Sequence, residues 1–156
     1  MVDLLEKIGS RLAGKTFSVP DKQTTKLKHP FEVRNIHQDI FKVSKQLFDD
    51  GHYRQATFDA YIHIEKQVKT KSKLRKTGLA LMMDAFDEEK PKITLDVFVK
   101  DDEKNEQKGY RFIFAGAMAA IRNPRAHALG TETMDDCLDH LSIASALMRK
   151  LDRALK

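Results

Sequence analysis

Apolar residues return at helical spacing through most of this chain, and that period more than any other feature limits what it can fold into. Ile36, Ile40, Val43 and Leu47 form one stripe, widened by Phe41 and Phe48. Tyr53, Ala56, Ala60, Ile64 and Val68 form a second. Gly51, after Asp49-Asp50, reads as a helix stop between them, and so short a connection favours an antiparallel pair. The second helix is expected to run out through a basic stretch and end by Gly78. Leu79, Met82, Met83 and Phe86 predict a short third helix. A fourth covers about 103–122, with Tyr110, Ile113, Phe114, Ala117 and Ile121 inward. Thr133 is placed to cap a last helix, with Asp136 three residues on, and Cys137, Leu138, Leu141, Ala144, Met148, Leu151 and Leu155 line its inner face. The fold class is all-α: an antiparallel bundle of four to five helices.

One segment departs from this period. Across 92–99, Ile93, Leu95, Val97 and Val99 alternate with Thr94, Asp96, Phe98 and Lys100, a strand pattern. A lone strand has no ladder partner, so the segment is either an extended crossover or a pairing edge for another chain. Residues 2–13 predict a short amphipathic helix through Leu4, Leu5, Ile8 and Leu12. Residues 15–30, with Pro20 and Pro30, read as a linker or arm. The expected division is therefore an N-terminal arm, 1–30, and a single helical domain, 31–156.

At 156 residues, 41% of them hydrophobic and 33% charged, the chain can bury a real core as one soluble domain. It holds no apolar run of about 18 residues, and its amino terminus lacks the basic-then-apolar order of a secretory signal. A cytoplasmic protein with no membrane partner is expected. The single cysteine, Cys137, permits no internal disulfide. The net charge is +5, but residues 1–30 carry three of those charges and leave only two for the body. Within the body the charge is segregated. Lys66, Lys69, Lys71, Lys73, Arg75 and Lys76 form a run without an acid, whereas 84–89 and 101–106 are acidic. Lys69, Lys71, Lys73, Arg75 and Lys76 are the candidate nucleic-acid contacts, against the plainer reading of a solvated helix end.

The chemistry concentrates in Gly116-Ala-Met-Ala-Ala-Ile-Arg-Asn-Pro-Arg-Ala-His127. A proline disfavours the α conformation in the residue before it, so the fourth helix is expected to end at Arg122 or Asn123. On an unbroken helix Arg122 and His127 stand about 140° apart; a turn at Pro124 allows them to converge. Arginine offers a permanent planar cation suited to phosphate oxygens, and histidine exchanges protons near neutrality. Asn123 can bind substrate or fix the imidazole tautomer. These are the catalytic candidates, and they need no metal and no cofactor. The plain alternative is a helix-end arginine, an Asn-Pro turn and a surface histidine. Gly116, Ala117, Ala119 and Ala120 permit close helix approach inside the bundle or across a dimer.

The arginine, the polar residue after it and the histidine five positions from the arginine resemble the R-x4–6-H signature of the HEPN superfamily. Gly116-Ala117-Met118, Ile121-Arg122-Asn123-Pro124, Ala126-His127, the upstream Leu81-Met82-Met83-Asp84-Ala85-Phe86 and the closing Leu147-Met148-Arg149-Lys150-Leu151-Asp152 are similar to its Ymh-type prokaryotic branch. The resemblance covers about residue 30 to the end. It implies a helical bundle that homodimerises. In catalytic members the paired motifs form a metal-independent endoribonuclease site. Such domains serve toxin–antitoxin and anti-phage systems, so RNA and an antitoxin or defence partner are implied. Other relatives are non-catalytic nucleotide-binding or scaffolding modules.

Remaining candidates are weaker. Cys137 and His140 share a helix face, but the cysteine lies on the apolar stripe, which favours burial. His29, His37, His52 and His63 show no metal-ligand spacing, and no Gly-rich phosphate loop occurs. Glu65 and Lys66 lie on the second helix, within reach of the site in principle; nothing in the sequence places them there, and a solvated face is the reading preferred.

Overall fold

The computed structural model describes residues 27–95, 101–127 and 130–155, and for 101–104 and His127 the backbone alone. The expected helix over 2–13, most of the arm, and Val97 and Val99 lie outside the described residues. A single turn, α1 (Pro30–Val33), leads into α2 (Gln38–Asp49) and α3 (Tyr53–Ser72). After α4 (Gly78–Ala85) comes the longest helical run: α5 (Asp101–Ala117), a π-helical turn (Met118–Arg122) and α6 (Asn123–His127). The last helix is α7 (Met134–Asp152).

The architecture is the expected all-α bundle, and its core is the expected periodic set. Ala56, Ala60, Ile64 and Val68 of α3 are fully buried, as are Cys137, Leu141, Ala144 and Leu151 of α7. The Phe86 and Phe114 rings stack at 4.4 Å and join α4 to α5. Gly51, at φ +77°, turns the chain sharply between α2 and α3, a conformation that costs glycine little. Thr133 Oγ1 accepts the Asp136 N–H at 3.1 Å and caps α7.

Two histidines cap helices through one ring nitrogen and bind a carboxylate through the other. His29 Nδ1 accepts from Phe31 N–H at 3.1 Å while its Nε2 lies 2.7 Å from Asp49. His37 Nδ1 accepts from Asp39 N–H at 3.1 Å while its Nε2 lies 2.8 Å from Asp152. Each ring is thus a staple between a helix start and a distant helix end, a role spacing alone does not reveal.

Three expectations need correction. Ile113 is 51% exposed, because the inward stripe of α5 is Gln107, Phe114, Ala117 and then Ile121, which leaves Phe112 and Ile113 together on the outer shoulder. Leu155 is not on the inner face of α7; the helix ends at Asp152, and Leu155, 46% exposed, forms an antiparallel bridge with Thr94. That bridge gives the extended segment a partner in its own chain, and Gln107 secures it by accepting from Leu95 N–H at 3.0 Å. Finally, α3 stops at Ser72, since Lys73 takes the left-handed conformation at φ +61°. Lys73, Arg75 and Lys76 therefore lie on the connection to α4, before Gly78 begins it.

Candidate functional site

Pro124 does not break the helix. Asn123 keeps α-helical angles (φ −63°, ψ −45°), and its N–H bonds back to the Met118 carbonyl, five residues earlier. Widening the turn relieves the clash that a proline ring makes with the carbonyl of a regular helix, so the chain continues as α6. The expected corner at Arg122–Asn123 is absent. Arg122 and His127 therefore occupy positions about 140° apart around one helical run. The His127 side chain lies outside the described residues.

Arg122 faces α3. Its guanidinium lies 5.8 Å from the centre of the Phe58 ring. One terminal nitrogen is 3.7 Å from Glu65 Oε2, and the other donates to Asn123 Oδ1 at 3.2 Å. The side chain is 21% exposed, but its Nε is buried without a hydrogen-bond partner among the described residues. Buried donors are nearly always paired, so this Nε sets Arg122 apart from the other buried polar side chains described.

Glu65 overturns the reading of a solvated face: it is buried, with Lys66 exposed beside it. Its Oε2 accepts the first N–H of α4, from Gly78, at 3.0 Å, and its Oε1 accepts from Lys69 at 2.9 Å. The carboxylate thus sits at a helix amino terminus, where negative charge is favoured. Burial raises its pKa; the bonds from Lys69 and Gly78 and the Arg122 charge outweigh that, and the group stays below the usual carboxylate range. Sequence periodicity missed it because its charge is matched by groups 4, 13 and 57 residues away. Gly78 packs close to the site: a Cβ there would stand 3.9 Å from Asn123 Oδ1.

The structure thus joins Arg122 and Asn123 with Glu65, Lys69 and Phe58. It does not assemble the basic candidates as one open patch. Lys69 is bound to Glu65 and Lys76 pairs with Asp84; Lys73 and Arg75 are exposed, and Lys71 is half-buried.

A second polar cluster lies one turn further along the same helix. Arg125 Nε donates to Glu132 Oε2 at 2.6 Å, and its Nη1 donates to the Ile121 carbonyl at 2.7 Å. Glu132 Oε1 accepts from Thr57 at 2.9 Å and lies 2.7 Å from His140 Nδ1. Burial raises the Glu132 pKa, and the bonds from Arg125, His140 and Thr57 more than reverse this, holding it low. Tyr61 donates to the His140 carbonyl at 3.0 Å. Burial pushes the Cys137 thiol up to about 11, so it is a core residue rather than a nucleophile.

Among the described residues no group of three or more His, Cys, Asp or Glu is arranged to hold a metal ion, and no helix is long and apolar enough to cross a membrane. The fold and these two clusters define an all-α protein with a half-open arginine–carboxylate site. A family model described as a protein of unknown function (Hypoth_Ymh) matches residues 34–151, and the chain belongs to that family. No curated protein and no solved structure matches it.

Proposed function

We propose that this protein is a HEPN-type, metal-independent endoribonuclease that acts as a homodimer, in a toxin–antitoxin or anti-phage setting. The observation that carries this reading is the Arg122 guanidinium, held half-open by Glu65, Asn123 and Phe58. A permanent, partly exposed cation stabilises the charge that builds on phosphorus. Asn123 orients the substrate or the imidazole.

Because Arg122 and His127 diverge along one helical run, this mechanism needs residues from two copies: one His127 accepts the proton of the ribose 2′-hydroxyl as that oxygen bonds to phosphorus, beside the Arg122 of a second copy. The P–O5′ bond breaks, and the His127 of a second copy gives its proton to the leaving 5′-oxygen. The products are a 2′,3′-cyclic phosphate and a 5′-hydroxyl. Support for pairing comes from α5 and the π-helical turn after it, where Gly109, Phe112, Ile113, Gly116 and Ala120 are all exposed at helical spacing. Phe112 and Ile113 are 54% and 51% exposed, and the face runs toward Asn123. An isologous contact along it brings two copies of 122–127 near one axis.

A second reading, a non-catalytic module that binds nucleotide or protein, draws on the internal pairing of Lys69 and Lys76, which reduces the basic surface. RNA incubated with the protein in EDTA decides between them. Cleavage leaving 2′,3′-cyclic phosphate, abolished in His127→Ala, is the expected result. Intact RNA under conditions where the protein is folded and dimeric overturns it. Binding that weakens steeply with salt is a property of the nuclease, not of a protein-binding module.

A further inference from the structure

Segment α6 is five residues long, follows a π-helical turn, and contains a proline that donates no backbone bond. The widened turn and the missing proline N–H weaken its backbone tie to α5, so contacts from neighbouring elements help to set its orientation. Two arginines do this. Arg54 of α3 donates to the Pro124 carbonyl at 2.7 Å. Arg125 folds back onto the Ile121 carbonyl and reaches outward to Glu132. The Glu132 side chain is 3% exposed and receives donors from three elements: Thr57 of α3, Arg125 of α6 and His140 of α7.

We propose that Glu132 is a positioning residue for the Arg122 site. By clamping Arg125 it sets the rotation of α6 and hence where Asn123 and His127 stand relative to Arg122. This rests on the ribonuclease reading for its catalytic consequence, though not for its structural one. Rotating α6 about its axis pulls the Arg125 fork off a carboxylate that α3 and α7 both hold in place. A carboxylate is required at this point, because Thr57, Arg125 and His140 all present donors. An amide offers one acceptor oxygen where two are used, and turns an N–H toward one of those donors.

His140 reports the clamp directly. Its Nδ1 lies 2.7 Å from Glu132 Oε1 and 3.0 Å from an Arg125 terminal nitrogen. At 2.7 Å the carboxylate is the nearer of the two groups, which favours the proton on Nδ1. Once the carboxylate is gone, the neighbouring Arg125 donor favours the other tautomer. The groups facing the ring are thus Glu132 on the loop before α7 and Arg125 on α6, with the Tyr61 hydroxyl of α3 on its backbone carbonyl.

The test compares wild type with Glu132→Gln and Arg125→Met. Amide exchange of Asn123, Arg125, Ala126 and His127 should accelerate at least about ten-fold in both variants while that of α2 stays unchanged. The imidazole nitrogen spectrum of His140 should switch tautomer in Glu132→Gln. RNA cleavage should lose kcat with KM unchanged, since binding survives and alignment does not. Unaltered exchange in α6 overturns the proposal, and so does faster exchange with kcat intact. Arg125→Met keeps the question open to an answer if Glu132→Gln fails to fold. Wild-type protein that cleaves no RNA removes the ribonuclease reading, and the clamp then stands or falls on exchange and tautomer alone.

Discussion

Arg122 and Arg125 lie three residues apart on one helical run and meet opposite environments. Arg125 is closed in: 11% exposed, it bonds to a carboxylate at 2.6 Å and a carbonyl at 2.7 Å, with an imidazole 3.0 Å away. Arg122 is loose: its carboxylate stands 3.7 Å off, its Nε is unpaired among the described residues, and more of its side chain reaches solvent. Each faces a buried glutamate whose pKa is depressed, so charge and burial do not separate them. Completeness of hydrogen bonding does. A saturated pair fixes geometry; an unsaturated one retains capacity to bind something else.

That contrast breaks first at Glu132. Glu132→Ala should cost about 3–5 kcal/mol, since it leaves Arg125 buried and unmatched, and urea unfolding measures it. If the loss stays below about 1 kcal/mol, the closed cluster is not the scaffold it resembles. Arg122→Ala should do the reverse, lowering RNA cleavage by about 10²–10³-fold while the unfolding midpoint scarcely moves. A large fall in stability with activity retained would exchange the roles of the two arginines.

Acid sharpens the comparison. Both glutamates ionise more readily in the folded than in the unfolded chain. Their contribution is therefore complete above the ordinary glutamate range and drains away as pH falls through the depressed folded values. The stability advantage of wild type over Glu65→Gln or Glu132→Gln, followed by urea midpoints from about pH 7 to about pH 3, should narrow toward acid. A gap that widens instead means neither carboxylate is held ionised. The smallest effect belongs to Thr133→Ala, which removes the α7 cap next to Glu132. It should cost about 1 kcal/mol and leave Arg122 chemistry untouched.

Much of the frame was legible from residue order. Ala56, Ala60, Ile64 and Val68 recur every four positions, and burial of that stripe follows from helix geometry. Gly51 and Thr133 act through their own backbone and hydroxyl, so their roles are local as well. Arg122 and Asn123 were visible as chemistry, but not their surroundings. Glu65 looked like surface because two of the groups that meet it, Gly78 and Arg122, are distant in sequence. Ile113 looked inward because a period drawn through 110, 113, 114 and 117 spans a wider arc than the core covers.

Local rules of spacing, capping and turn chemistry thus determined an all-α chain, its main helices and the cluster of an arginine with an asparagine near a histidine. Tertiary structure alone decided that the helix passes through Pro124, where a π-turn accommodates the proline and Arg54 of α3 binds its carbonyl. It alone decided that Glu65 is buried against Arg122, because a carboxylate leaves water only when other elements bring donors to meet it.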